Sequence, residues 1–193
     1  MKRVIAICGK SGSGKDTIVK EILKRYPNLF KPIVSYTTRP RRENEKEGID
    51  YYFITKSEMA NKIVNNEMLE VSEFNNWFYG TAINSLSDDC INIGVYNLDG
   101  LEYLCQNEQD IDNLIFYINT SDKTRLIRSL NREEHPDVDE IVRRYGTDKN
   151  DFNSFDVREC DGIELQNEKE EDLDKCITSI VNTAKNTFKF DIL

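Results

Sequence analysis

The chain has 193 residues, a formal net charge of −9 and 38% hydrophobic residues. This composition is typical of a folded domain and excludes a collagen-like or disordered chain. The acidic balance argues against non-specific nucleic-acid binding, which needs a basic face. The best apolar run, Val4–Cys8, is far shorter than the roughly 20 residues of a membrane-spanning helix, and it ends at Gly9 without the pattern of a signal peptide. We therefore expect one domain, no membrane segment, and first residues that belong to the fold.

Strand patterns and helix patterns alternate along the chain. The strand-type runs are Arg3–Cys8, Pro32–Tyr36, Tyr51–Ile54, Met68–Phe74, Ile91–Leu98, Leu114–Ile118 and, weakly, Gly162–Leu165. The helical patterns are Asp16–Tyr26, Ser57–Asn65, Gly100–Cys105, Lys123–Asn131, Asp137–Asp151 and Glu170–Phe188. Such alternation predicts the α/β class with a doubly wound, mainly parallel sheet.

Two polar stretches interrupt this alternation. Residues 39–50 are almost wholly charged and predict an exposed functional loop. Residues 128–151 carry four arginines on polar helices around Pro136, which predicts a mobile flap with a turn.

The cysteines and the histidine offer little chemistry. The five cysteines contain no CxxC pair, so we expect buried or idle thiols in a reducing cytoplasm. The only histidine, His135, lies in a polar segment and is predicted to be a surface residue. Chemistry that needs a histidine base is therefore not expected.

A phosphate-binding motif follows the first strand. Gly9-Lys10-Ser11-Gly12-Ser13-Gly14-Lys15 matches G-x-x-x-x-G-K between a buried strand and an amphipathic helix, which is the context that this motif requires. The glycines let backbone N–H groups converge on phosphate oxygens, and the lysine reaches the outer phosphates. The motif predicts that residues 9–17 bind ATP.

Asp16 departs from the usual pattern, in which a hydroxyl residue follows the lysine and holds Mg²⁺. Here the hydroxyl comes one place later, at Thr17. A carboxylate is a good Mg²⁺ ligand, so Asp16 is a candidate metal ligand. The alternative is an ordinary acidic residue in the first turn of a helix, where it favours the dipole.

The motif at residues 9–15 is known as a P-loop. Two further blocks of sequence indicate which kind of P-loop protein this is. One runs from Ser35 through Thr37-Thr38-Arg39-Pro40-Arg41-Arg42 to Phe53, and the other from Glu70 to Tyr79-Gly80-Thr81. With these blocks the chain resembles the guanylate kinase family. The resemblance is tight from the P-loop through Thr81 and looser toward the arginines of residues 128–144, so it covers most of the chain.

The resemblance implies a fold and its subregions. The fold is a mainly parallel sheet of the P-loop kinase type with an inserted nucleoside-monophosphate-binding subdomain and a helical lid. Within one domain, 1–193, the implied subregions are 1–32 (P-loop part of the core), 33–83 (GMP-binding subdomain), 84–121 (core), 122–154 (lid) and 155–193 (C-terminal part of the core).

The resemblance also implies an acceptor site. Arg39 and Arg42 would grip the phosphate of the monophosphate, helped by the hydroxyls of Tyr51 and Tyr79. The residues that would line the base are Ser35, Glu70, Thr81 and Asp99. Guanidinium forks bind phosphate oxygens bidentately, and one carboxylate can accept from both N1–H and N2–H of guanine, a donor pair that adenine lacks. Asp99 departs from the family, which often has D-x-D where this chain has Asn97-Leu98-Asp99.

By the same resemblance, Arg132 and Arg144 are the lid arginines that reach the transferring phosphate. Arg128 and Arg143 are their neighbours, and each role could belong to the adjacent arginine instead. With Lys15, Arg39 and Arg42 they make up the implied catalytic set.

These residues predict a cytoplasmic kinase that uses ATP and Mg²⁺ to phosphorylate GMP or dGMP. Its partners would be these nucleotides, with neither nucleic acid nor membrane, and nothing in the sequence indicates an oligomeric state. One alternative is a deoxynucleoside monophosphate kinase of different base preference, which Asp16 keeps open. The other is a non-catalytic guanylate-kinase-like module that binds phosphopeptides. The presence of Gly14-Lys15 argues against this alternative, because a binding module does not need a lysine that binds ATP.

Overall fold

The computed structural model describes residues 1–43, 45–74, 76–106, 111–132 and 134–189. In chain order its strands are β1 (Lys2–Cys8), β2 (Phe30–Pro32), β3 (Tyr36–Thr37), β4 (Tyr52–Phe53), β5 (Met68–Phe74), β6 (Trp77–Ala82), β7 (Ile91–Val95), β8 (Ile111–Asn119) and β9 (Ile163–Gln166). Its α-helices are α1 (Lys15–Arg25), α2 (Lys56–Val64), α3 (Leu98–Gln106), α4 (Asp122–Leu130), α5 (Val138–Asp151) and α6 (Asp172–Phe188). Short 3-10 turns occupy Ile83–Ser85 and Val157–Cys160.

The main sheet has five strands in the order β2-β7-β1-β8-β9, and every neighbouring pair is parallel. Its central strand, β1, is apolar on both faces because both are covered. Ile5 and Ile7 pack with residues of α1 and α6, whereas Val4 and Ala6 pack on the opposite face with residues of α3. The predicted α/β class with a doubly wound, mainly parallel sheet is therefore confirmed.

A second sheet has the order β4-β3-β6-β5, and three of the eight expected acceptor residues, Glu70, Tyr79 and Thr81, lie on its strands. β5 and β6 form an antiparallel pair, and β3 pairs antiparallel with β6 and parallel with β4. Between the two sheets the chain crosses in a short extended segment: the Ile33 N–H donates to Ile93 O in the main sheet, and Ser35 O accepts from Tyr52 N–H in the second.

Two of the strand predictions need correction. The run Pro32–Tyr36 is not one strand, because residues 33–35 cross between the sheets and separate β2 from β3. The run Ile91–Leu98 ends as a strand at Val95, and α3 begins at Leu98. None of the predicted strand-type runs corresponds to β6 (Trp77–Ala82).

The expectation that all five cysteines are free thiols is wrong for one pair. Cys105, in α3, and Cys160, in the 3-10 turn, form a disulfide with a Cα–Cα distance of 5.5 Å. Cys8, Cys90 and Cys176 are free, as expected. The disulfide ties α3 to the turn that precedes β9.

His135 is exposed, as predicted. Among the described residues, no helix has the length and apolarity needed to cross a bilayer.

Candidate active site

The phosphate loop lies between β1 and α1, at the carboxyl end of the central strand. Its glycines at 9, 12 and 14 have positive φ values of 148°, 78° and 93°. At Gly12 an added Cβ would lie 2.7 Å from Arg125 O, and at Gly14 it would lie 2.5 Å from Asn167 Nδ2. Glycine is therefore needed at these positions for two reasons: the backbone has a positive φ, and atoms of Arg125 and Asn167 lie too close for a side chain.

Several side chains from other elements donate hydrogen bonds to one carbonyl oxygen of the phosphate loop. Ser13 O accepts from Thr120 Oγ1 at 3.2 Å, from Asn167 Nδ2 at 2.7 Å and from Arg128 Nη1 at 3.5 Å. The strand ends of β8 and β9 and the helix α4 thus converge on one peptide group. No local pattern in the sequence identifies Thr120 or Asn167, because their role depends on contacts across more than 40 residues.

Lys15 begins α1, and its ammonium donates to Lys10 O at 3.3 Å. Burial lowers the pKa of Lys15, and the negative charges of Asp16 and Asp148 partly offset this effect. An anionic ligand beside the ammonium would raise its pKa further toward the ordinary value.

A cavity of about 590 Å³ opens in front of the loop. Its lining brings together residues of the phosphate loop, α1, α4 and α5 with Arg42 of the loop 39–50, which we call the acceptor loop. Of the predicted site residues it includes Ser11, Gly12, Gly14, Lys15, Asp16, Thr17, Arg42, Arg132 and Arg144. Donor-binding and acceptor-binding candidates from distant parts of the chain therefore face one space.

The predicted lid arginines and their neighbours, which lie in α4, in α5 and just after α4, differ in their contacts. Arg132 and Arg144 line the cavity, and Arg144 Nε pairs with Glu140 at 2.7 Å. Arg143 pairs with the same carboxylate, and hydrogen bonds from both arginines, chiefly Arg143, lower the pKa of Glu140 to about 2. Arg128 also lines the cavity, but its guanidinium donates to Asn167 O at 2.9 Å. Of these two adjacent arginines of α5, Arg144 lines the cavity and Arg143 is not part of its lining.

Arg39 differs from its prediction as a residue of an exposed loop. Its side chain is only 7% exposed, and Nη2 pairs with Glu45 at 2.6 Å. The guanidinium lies 5.6 Å from the Tyr51 ring centroid, and the rings of Tyr51 and Tyr79 meet edge to face at 6.0 Å. The loop folds back so that Glu45 and Tyr51 cover the arginine, whereas Arg42 stays exposed and lines the cavity.

Two of the four predicted base-binding residues, Glu70 and Thr81, lie on the second sheet, and Ser35 lies next to β3. Glu70 and Thr81 are opposite one another in the β5–β6 register, and the hydroxyls of Ser35 and Thr81 are 3.5 Å apart. Glu70 is 8% exposed. Burial raises the pKa of its carboxyl to about 6, although hydrogen bonds from Thr81 act in the opposite direction and Asp99 adds repulsion. A buried carboxylate beside two hydroxyls suits a ligand edge that offers paired N–H donors.

Asp99 stands apart from this pocket. It is exposed in the first turn of α3 and reaches Glu70 only through its charge. Its neighbour Asn97 donates from Nδ2 to Ser72 Oγ at 2.8 Å and accepts from the Gly100 N–H at 3.0 Å. Tyr96 is a further residue near this pocket that the sequence did not predict. Burial and the nearby charge of Glu70 raise the pKa of its hydroxyl.

The two halves of the site are adjacent. Burial raises the pKa of the Tyr51 hydroxyl, and the charges acting on it include those of Tyr79, Arg39 and Asp16. The acceptor tyrosines and the start of α1 are therefore within electrostatic reach of each other.

The donor set suits Mg²⁺ better than a metal that needs an all-protein cage. Asp16 is exposed and lines the cavity beside Lys15 and Thr17. The described part of the chain contains no cluster of three or more histidine, cysteine or acidic ligands. Mg²⁺ commonly needs only one or two carboxylates, together with water and phosphate oxygens.

These elements place the chain in the class of P-loop kinases that act on nucleotides. A family model described as "Guanylate kinase" matches residues 1–183, and the chain belongs to this family. A guanylate kinase of Thermotoga maritima is 32% identical over 187 residues, which cover 95% of this chain and 87% of that protein. One of Mycoplasma genitalium is 30% identical over 158 residues, which cover 80% of this chain and 65% of that protein. The crystal structure of guanylate kinase from Anaplasma phagocytophilum has a TM-score of 0.64 at 18% identity, covering 96% of this chain and 86% of that one, which supports the fold.

Proposed function

We propose that this chain transfers the γ-phosphoryl group of ATP to GMP or dGMP, giving ADP and the corresponding diphosphate. The observation that carries the proposal is that Lys15, at the start of α1, and Arg42, of the acceptor loop, line the same cavity. A phosphoryl donor held at the first residue and a phosphate acceptor held at the second would meet there. Membership of the guanylate kinase family supports the same reaction.

The acceptor needs no protein nucleophile. A phosphate oxygen of GMP is ionised at neutral pH and attacks the γ-phosphorus directly, while the bond from that phosphorus to the β-phosphate oxygen breaks. Catalysis then consists of alignment and neutralisation of charge. Lys15, Arg42, Arg132 and Arg144 provide the positive charge around the cavity.

Mg²⁺ would neutralise phosphate charge when it is bound with ATP, and Asp16 would hold it directly or through water. Without the ion, the Asp16 carboxylate would repel the nucleotide. We therefore expect tight coupling between metal and ATP binding at this position.

Arg39 and the two tyrosines would hold the acceptor phosphate, with Glu45 keeping the buried guanidinium in place. Glu70 would accept from N1–H and N2–H of guanine, and the hydroxyls of Ser35 and Thr81 would donate to O6. A ligand that leaves the buried carboxylate without donors binds poorly, which is how such a pocket rejects adenine. We keep Asp99 as the outermost candidate of this set.

The test is ADP release with ATP, Mg²⁺ and each nucleoside monophosphate in turn. We expect turnover with GMP and dGMP and at least 100-fold lower kcat/KM with AMP and with pyrimidine monophosphates, on the order of what an unpaired buried polar group imposes. Lys15→Ala should lose most turnover while keeping GMP binding and the unfolding temperature. Lys24→Ala, at an exposed position of the same helix outside the cavity, is the matched control. Turnover with a different base alone, or full activity of Lys15→Ala, would contradict the proposal.

A further inference from the structure

A buried arginine in α4 binds the phosphate loop from the side. Arg125 is 2% exposed. Its Nη1 donates to Ser11 O at 2.8 Å and to Asp148 Oδ2 at 2.9 Å, and its Nη2 donates to Asp122 Oδ1 at 2.7 Å. The guanidinium also lies 5.3 Å from the centroid of the Tyr145 ring. The side chain is thus held from three directions.

Asp148, in α5, completes a contact with the same loop residue. Its Oδ2 accepts from the Ser11 N–H at 2.8 Å, and its Oδ1 lies 3.4 Å from Ser11 Oγ. The carboxylate is 13% exposed. Both main-chain groups of Ser11, the N–H and the C=O, are therefore bound by side chains of the two lid helices. We name Arg125, Asp148 and Ser11 the loop clamp.

The loop clamp fixes one face of α5. Glu140, Arg144 and Asp148 are spaced four residues apart, so their side chains follow one another along a helix, and all three line the cavity. Glu140 holds Arg144 at 2.7 Å. Anchoring Asp148 at Ser11 therefore sets both the distance and the rotation of the helix that carries Arg144.

Stability alone gives a weak reason for such a buried pair. Two charges removed from water lose hydration that their attraction only roughly repays, and an apolar pair of similar volume is often as stable. Position is a better reason, because phosphoryl transfer depends on the alignment of charged groups, and a misplacement of about 1 Å can cost on the order of 100-fold in rate.

We propose that Arg125 and Asp148 are positioning residues that hold α5, and with it Arg144, against the phosphate loop. The consequence for the rate rests on the proposed function, whereas the clamp itself does not. Neither residue needs to touch the reacting atoms. Their effect passes through Ser11 and through the orientation of α5.

The test compares the parent with the double variant Arg125→Leu/Asp148→Ala, which removes both charges together and leaves neither without a partner. Asp151→Ala, at an exposed position of the same helix outside the cavity, is the control. Hydrogen exchange of the Ser11 amide, followed by NMR without nucleotide, should be at least tenfold faster in the double variant. Its kcat with GMP should fall at least tenfold, with KM for GMP changed less than twofold. The control should match the parent in every measurement.

Three results would overturn the proposal: an unchanged exchange rate at Ser11, an unchanged kcat in a folded double variant, or a tenfold rise in KM for GMP, which would mean general loosening. If the double variant does not fold, Asp148→Ala alone removes the acceptor of the Ser11 N–H and leaves Arg125 its pair with Asp122 at 2.7 Å, and the same criteria apply. A parent without GMP kinase activity would contradict the proposed function, while the exchange rate at Ser11 would still decide whether the clamp exists.

Discussion

Glu70 combines a structural cost with a recognition role. Its carboxyl is buried between β5 and β6, and burial raises its pKa from 4.5 to about 6. At neutral pH the folded protein therefore holds a charged group where a neutral one would be more stable. A ligand that donates two hydrogen bonds to the carboxylate would offset this cost.

We expect Glu70→Gln to be more stable than the parent at high pH. Because the folded-state pKa lies above the ordinary value, the stabilising effect of the protonated carboxyl is complete below pH 4.5 and is lost as the pH rises through about 6. The shift corresponds to about 2 kcal/mol. Relative to the parent, the variant's free energy of unfolding should thus rise by about 2 kcal/mol between roughly pH 4 and pH 8.

Urea unfolding at a series of pH values measures this difference. Glu73→Gln, at an exposed position of the same strand, is the matched control and should follow the parent. In the same series, GMP affinity of the parent should weaken as the pH falls below about 6, because the protonated carboxyl accepts fewer hydrogen bonds. A stability difference that does not change with pH would contradict the assigned burial of Glu70.

At the scale of elements, the helices and strands around the phosphate loop follow from local patterns. β1 and α1 match their predicted bounds within one residue, because a buried apolar run, a glycine turn and an amphipathic stripe lie next to each other in the chain. β6 also had a local signal in the sequence, because only two residues separate Phe74 from Trp77, which is the loop length of a tight hairpin. The motif Tyr79-Gly80-Thr81 lies on this strand.

Other contacts could not be predicted from spacing. Arg125 meets Ser11 across 114 residues, and α4 gives no local indication that this arginine, unlike its neighbours, is buried. The disulfide joins residues 55 positions apart, and five cysteines allow many pairings. Arg39 was placed in an exposed loop because its neighbours are charged, whereas the ion pair with Glu45 makes its burial possible.

The disulfide leads to a prediction about α3. In the chain-entropy account, closing a loop of 55 residues restricts the unfolded chain by ~4 kcal/mol. We expect a reducing agent to lower the parent's free energy of unfolding by up to that amount, and Cys105→Ser to remove the dependence on reductant. Cys90→Ser, which removes a free thiol, should keep it. Guanidinium unfolding with and without reductant measures the effect, provided that thiol titration first shows the oxidised state. An oxidised parent that reductant does not destabilise would contradict it.

On the scale of the whole molecule, net charge and local charge have opposite signs. The chain carries −9, yet seven basic and only four acidic side chains line the cavity. Anionic nucleotides respond to the local field more than to the sum over the molecule. The two sheets also have separate roles in this arrangement: the parallel sheet presents the phosphate loop, and the smaller sheet presents Glu70 and Thr81.

We therefore expect KM for ATP to rise several-fold when the salt concentration increases from about 0.05 to about 0.5 M at constant free Mg²⁺, because screening weakens the attraction of the cavity. Arg132→Gln should reduce this dependence. Lys149→Gln, at an exposed position of α5 outside the cavity, should leave it unchanged. A KM that falls with added salt would mean that the overall negative charge dominates.

The three donors at Ser13 O also determine which way the next peptide nitrogen points. In a trans peptide the carbonyl and the N–H are directed oppositely. The bond from Asn167 Nδ2 at 2.7 Å, with Thr120 and Arg128 as donors shared with Asn167 O, therefore turns the Gly14 amide away from those strand ends. The Gly14 peptide dipole then needs no reorientation when an anion binds. A side chain 154 positions later in the chain thus helps to prepare the loop before any nucleotide is present.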